Sequence, residues 1–324
     1  MSYDETGRPR RQRPGPPAIA AAVLVPAAAL AGWLAIESVS GAQESGAGKS
    51  APPPSSASAS SPAPAPSSAS TGTGTGTGTS PGGGGGQGPL HGRTIVIDPG
   101  HNPGNFRHPD EINALVDIGT NRKPCDATGT STDDGYTEAA FTRDVSRRLR
   151  ALLEERGARV ELTHDGDREF GPCVDERARI GNRARADAVV SVHADGAARG
   201  SRGFHLILPG PVRAGDADTR KIVGPSRELG ERIAGAFART TGSERSNYIG
   251  GGTGLDVRTD LGGLNLSTVP KVFIECGNMR DPADAALLTS AGWRQRAAQG
   301  IADGLRAHLS AHPEPPPPAP SGTR

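Results

Sequence analysis

Between Gln43 and Gly88 the chain carries nothing from which a core could be built. Pro-Ala-Ser tracts run from Ala51 to Ser70, Thr-Gly repeats from Thr71 to Thr79, and a glycine run from Gly82 to Gly86. Such a segment cannot bury enough apolar surface to offset its ordering entropy, so a disordered linker is expected over 43–89. Its Pro-rich half should be stiff and its Gly-rich half a flexible coil, with a mean span on the order of 40 Å. Folding is thereby confined to one stretch, residues 90–312, which is long enough for a single core. After His312 the run Pro-Glu-Pro-Pro-Pro-Pro opens a second disordered end, 313–324.

Upstream of the linker, Met1 to Pro14 is polar and carries Arg8, Arg10, Arg11 and Arg13. An almost uncharged Ala-, Val- and Leu-rich run follows from Pro16 to Ile36. That order reads as a signal peptide or a signal anchor within 1–42. The length of the apolar run favours membrane anchoring by 16–36, whereas Ser40-Gly41-Ala42 has the small-residue character of a cleavage site. Both readings send the rest of the chain across a membrane, secreted or tethered. In an exported protein two of the three cysteines, Cys125, Cys173 and Cys276, are expected to pair. The formal net charge is +1 and no basic patch interleaved with aromatics occurs, which removes nucleic acid as a partner.

Within the folding stretch, Thr94-Ile95-Val96-Ile97 is a β-branched apolar run halted by Asp98-Pro99-Gly100, so a buried strand ends at His101. A polar, Gly- and Asp-rich insert spans Asn102 to Tyr136, with one short helix expected around Glu111 to Val116; it is either a lid or a wall. Glu138 opens an amphipathic helix with Phe141, Val145, Leu149, Leu152 and Leu153 on one face. Val160–Thr163 reads as a strand, Val174–Arg185 as a helix, and Ala188–Val192 as a buried strand delivering His193. Gly203–Leu208 is expected as an edge strand and Ser226–Thr240 as a helix. Lys271–Ile274 is the last core strand and delivers Glu275, and helix closes the chain from Pro282 to about Leu309. Strands alternating with helices predict an α/β domain with a largely parallel twisted sheet covered on both faces.

Three strand ends and one helix start therefore carry His101, His193, Glu275 and Glu138, and open α/β sheets place ligands at the carboxyl ends of their strands. Singly, each has an ordinary reading: a turn histidine, a strand-end histidine, an acid favoured by the helix dipole. Glu275 is the exception, since a carboxylate that closes an apolar run needs a partner or a function. Jointly, two imidazoles and a carboxylate suit Zn2+ with a fourth position open, and a further carboxylate is what metal-assisted hydrolysis needs. The HExxH spacing of helix-borne zinc sites is absent.

Four segments together, Ile97-Asp98-Pro99-Gly100-His101, Glu138 at a helix start, Ser191-Val192-His193-Ala194-Asp195 and Val272-Phe273-Ile274-Glu275-Cys276-Gly277, resemble the zinc-dependent N-acetylmuramoyl-L-alanine amidases of the amidase-3 type. Lys123-Pro124-Cys125, Asp133-Asp134-Gly135-Tyr136 and Gly171-Pro172-Cys173-Val174-Asp175-Glu176-Arg177 are similar to the secreted amidases of mycobacteria and other actinobacteria. The resemblance implies a catalytic domain over 90–312 that cleaves the amide between N-acetylmuramic acid and L-alanine in peptidoglycan, an autolysin-like remodelling activity at the cell wall. It implies His101, Glu138 and His193 as Zn2+ ligands and Glu275 as the catalytic carboxylate. It further suggests a Cys125–Cys173 disulfide pinning the insert to the following helix, with Cys276 left as a buried thiol, and a monomer. Asp98 or Asp195 would orient a ligand imidazole unless each is only a turn residue. Arg258 and Asn265 would contact substrate at the rim unless they are surface or turn residues. A non-catalytic peptidoglycan-binding or regulatory protein on the same fold is the alternative from another class, and a hydrolase of a different amide is a third.

Overall fold

The computed structural model describes residues 88–312, so the expected export segment, the linker and the Pro-rich tail lie outside the described residues. In chain order come β1 (Thr94–Pro99), α1 (Pro109–Asn113), β2 (Leu115–Asp117), β3 (Arg122–Pro124), α2 (Glu138–Glu155) and β4 (Arg159–Leu162). They are followed by α3 (Val174–Arg183), β5 (Ala188–Asp195), β6 (His205–Pro209), β7 (Arg213–Ala214), β8 (Ala217–Asp218) and α4 (Val223–Thr241). β9 (Leu255–Arg258), α5 (Gly262–Asn265), β10 (Lys271–Asn278), α6 (Pro282–Leu288) and α7 (Ala291–Ala311) complete the domain.

Six strands form one sheet in the order β4-β1-β5-β10-β6-β9. The first four are mutually parallel, β6 runs against β10, and β9 is parallel to β6. The period-two geometry of a strand divides the apolar residues between two faces. Ile95, Ile97, Ala188, Val190 and Val192 point into the larger core beneath α2, α4 and α7. Val96 and Val189 point the other way, where Ile180 and Ala184 of the α3 region cover them. The expectation of a largely parallel sheet between two helical layers therefore holds.

Helix α2 forms where it was expected because Phe141, Val145, Leu149 and Leu153 recur every four residues and all are fully buried. Thr137 caps it, its side chain accepting from the Ala140 amide. Two expectations fail. The segment read as an edge strand, β6, is buried along its whole length because β9 pairs on its outer side. The closing helix is two helices, since the chain leaves α6 at Thr289 and Ser290 caps the start of α7 by accepting from the Trp293 amide. The insert is a packed wall: Ile112, Ile118 and Cys125 are buried, and β2 and β3 form a small hairpin. Among the described residues no helix is long and apolar enough to cross a membrane.

Candidate metal centre and catalytic cleft

Strand register assembles the centre. β10 lies beside β5 so that Glu275 pairs with His193, and β1 ends with Pro99 beside Val192. Two residues further on, His101 turns back over the sheet end in a left-handed conformation, φ +59°, which a residue with a Cβ rarely adopts. Gly100 is required at this crossing, because a Cβ there would lie 2.3 Å from the His193 ring. Glu138, the first residue of α2, reaches between the two imidazoles. His101 Nε2 is 3.1 Å from Glu138 Oε2, and His193 Nδ1 is 2.9 Å from Glu138 Oε1. All three donor atoms lie within 4.8 Å of one another.

Backbone groups fix this arrangement. The Thr130 amide donates to Glu138 Oε2 (3.0 Å) and the Ala194 amide to Oε1 (3.2 Å). His101 Nδ1 is held by the Ala127 carbonyl (2.9 Å), which turns Nε2 toward Glu138. Phe273 stacks on His193, ring centroids 5.2 Å apart. Burial alone would depress the His101 imidazole, yet Glu138, with smaller help from Asp126 and the Ala127 carbonyl, raises its pKa to about 9. Burial likewise opposes ionisation of Glu138, and the two histidines outweigh it and hold the carboxyl low. The field between these side chains thus favours positive charge, and the donor set of two nitrogens and a carboxylate fits a zinc-like divalent cation.

Glu275 differs in kind. Burial, reinforced by Glu138 and Asp195, pushes its carboxyl well above the usual range. Its Oε2 is buried without a hydrogen-bond partner. It faces, with the three donors, a cleft of about 340 Å³ also lined by His205, Ile207, Ile249, Asp256, Arg258 and Phe273.

The family model for N-acetylmuramoyl-L-alanine amidase matches residues 95–307. The chain belongs to this amidase family. An N-acetylmuramoyl-L-alanine amidase of Mycobacterium tuberculosis is 42% identical over 223 residues, spanning 68% of this chain and 88% of that protein. The crystal structure of the amidase Ami1 from Mycobacterium smegmatis superposes with a TM-score of 0.63 at 39% identity, covering 69% of this chain and 99% of that one. The apo form of Ami1 from Mycobacterium abscessus gives 0.61 at 39% identity, covering 68% and 99%. Enzyme class and reaction follow from membership: the chain is a cell-wall hydrolase of the N-acetylmuramoyl-L-alanine bond of peptidoglycan.

Other expected residues of the amidase divide. Arg258 does line the cleft, held by Asp260 at 2.7 Å with Asp256 at 3.7 Å. Asn265 does not reach it. That side chain is fully buried, and its amide nitrogen donates to Thr259 O (2.9 Å) and Thr120 Oγ1 (3.1 Å), tying the insert to the β9 end. Neither aspartate holds an imidazole. Asp98 accepts from Thr163, Arg177, Ser191 and Lys271 on the far side of β1, and Asp195 accepts from the Tyr248 hydroxyl (2.7 Å). The group that orients His101 is the Ala127 carbonyl, a backbone atom with no signature in the residue type. Cys125 and Cys173 are joined in a disulfide, and Cys276 is a buried free thiol. Burial, then Glu275 and Glu138, push the Cys276 thiol well up, so it stays protonated and is a poor nucleophile. It lines a separate cavity beside Trp293 and Leu288.

Proposed function

We propose that this amidase is zinc-dependent, with His101, Glu138 and His193 as the ligands and Glu275 as the proton carrier. The observation that carries the reading is the unpartnered, buried carboxyl oxygen of Glu275 facing the same cleft as three mutually adjacent donors. A zinc ion held there would polarise the scissile carbonyl and make water a better nucleophile at neutral pH. Glu275 takes a proton from the attacking water and returns it to the L-alanine nitrogen as the carbon–nitrogen bond breaks, leaving a lactyl carboxylate and a free amine. Ala127 and Thr130 keep His101 and Glu138 from rotating during this exchange. Arg258, positively charged on the cleft wall, suits the carboxylates of a stem peptide.

Residues 90–312 are proposed as the catalytic unit of a chain exported by 1–42, spaced by 43–89 and ending in the tail 313–324. The disulfide and the extracytoplasmic substrate support a site of action at the wall, secreted or held at the membrane by 16–36. A monomer suffices, since every donor comes from one chain.

Digestion of purified peptidoglycan by the wild type and by Glu275→Ala, each with zinc measured, tests the assignment. Wild type should release stem peptides with an L-alanine amino terminus, and the variant should release none while keeping its zinc. Full zinc occupancy without release by the wild type would favour a wall-binding role, and cleavage at another amide would overturn the substrate.

A further inference from the structure

We propose a second divalent-cation site, formed by Glu228, His308 and His312 at the opposite end of the sheet from the cleft. His308 lies in the last turn of α7, and His312, four positions on, is the residue that caps its end. Glu228, near the start of α4, faces them across the helix pair. One donor atom from each residue lies within 4.8 Å of the others, the only such grouping among the described residues besides the catalytic one. His312 Nε2 is 2.8 Å from Glu228 Oε2, and the two imidazole rings are 4.9 Å apart.

A second observation points to a ligand. His308 is 3% exposed, and its Nδ1 is buried without any hydrogen-bond partner. An imidazole left unsatisfied inside a cluster of donors is a cost that a purely structural contact does not explain. The cluster is open to solvent at Glu228 and His312, whose side chains are 35% and 54% exposed, so a cation can enter. Arg232 lies 3.3 Å from Glu228 Oε1, the carboxylate oxygen turned away from His312, and leaves Oε2 to the histidines. Arg93, just before β1, donates to the Leu309 and His312 carbonyls, which fixes the end of α7 at the amino ends of the strands. Two imidazoles and one carboxylate select zinc over magnesium or calcium. Its three members come from α4 and the end of α7, so the site is a staple between the two helices rather than a second reaction centre.

The test is equilibrium dialysis of the full chain against Zn2+ with metal analysis, independent of activity. The wild type should hold two equivalents. His312→Ala, an exposed position that does not threaten folding, and Glu228→Gln should each hold one and still cleave peptidoglycan. A His101→Ala/His193→Ala chain should also hold one, and Zn2+ should raise its thermal midpoint unless His312→Ala is added. Saturation of the wild type at one equivalent that survives His312→Ala, or two equivalents retained after loss of both His308 and His312, overturns the proposal. A single wild-type equivalent that is lost in His312→Ala and kept in the His101→Ala/His193→Ala chain would refute the cleft assignment and leave this one standing.

Discussion

Glu275 pairs with His193 across adjacent parallel strands, so the proposed proton carrier and a proposed ligand imidazole are held at one level by backbone hydrogen bonds. Substituting Glu275→Gln preserves the shape and removes only the exchangeable proton. The turnover rate should fall by about 10²–10⁴-fold, the usual contribution of a positioned acid–base group, with zinc content unchanged. Retained turnover would mean that another group carries the proton.

Gly100 makes a sharper test of geometry. A methyl group at this position meets Cε1, Nδ1 and Nε2 of His193 at 2.3–2.7 Å. Gly100→Ala should therefore swing the imidazole off Glu138 and weaken zinc binding by about 10–100-fold, as loss of ligand orientation does elsewhere. Zinc titration against a chromophoric chelator reads this directly, and unchanged affinity would show that His193 is not a ligand.

Beneath the centre, Asp98 is the hub of a buried network. It accepts from Thr163 (2.7 Å), Arg177 (2.8 Å), Ser191 (2.9 Å) and Lys271 (3.0 Å). Burial works against its charge, but Lys271 and Arg177 hold the carboxyl well below its ordinary value. A lowered folded-state pKa gives stability that is complete above the unfolded value, about 3.9, and is lost as pH falls through the folded one. Asp98→Asn leaves Lys271, 1% exposed, without a counter-charge and should cost about 3–5 kcal/mol at pH 7. Urea unfolding should show the gap from wild type narrowing below about pH 4; a constant gap would mean that the carboxylate charge is not the source.

Which of these features a reader could find in the sequence depends on whether a side chain announces its partner. His101, Glu138, His193 and Glu275 were legible because each closes or opens an apolar element whose period fixes which end it occupies. The place of β6 was not, since Leu206-Ile207-Leu208 reads the same whether or not β9 pairs outside it, and pairing is a long-range event. Asp98 misled for a related reason. Proximity in sequence to His101 suggested an imidazole partner, whereas the strand directs Asp98 toward Lys271, 173 residues away. Ala127 could not be found at all, because its contribution is a carbonyl that every residue owns.

Arg258 offers a division between binding and chemistry. It lines the cleft, half-buried, with its ion pairs to Asp260 and Asp256. Arg258→Ala should raise KM several-fold with kcat nearly constant, the pattern of lost uniform binding. An equal fall in kcat would place it in the transition state instead.

The disulfide joins stability to the metal centre. Cys125 and Cys173 close a loop across 48 residues, which the chain-entropy model values at about 4 kcal/mol. Next to Cys125 sit Asp126, which pairs with Arg177 at 2.8 Å, and Ala127, whose carbonyl holds His101. Releasing the bond therefore frees the segment that orients His101 as well as the denatured chain. Cys125→Ser/Cys173→Ser should lower the unfolding free energy by about 2–5 kcal/mol. Zinc affinity should fall with it, and by more than in a variant equally destabilised in the α4–α7 core, such as Ile233→Val/Leu305→Ala. Equal affinities in the two would mean that the insert steadies the fold without steering His101.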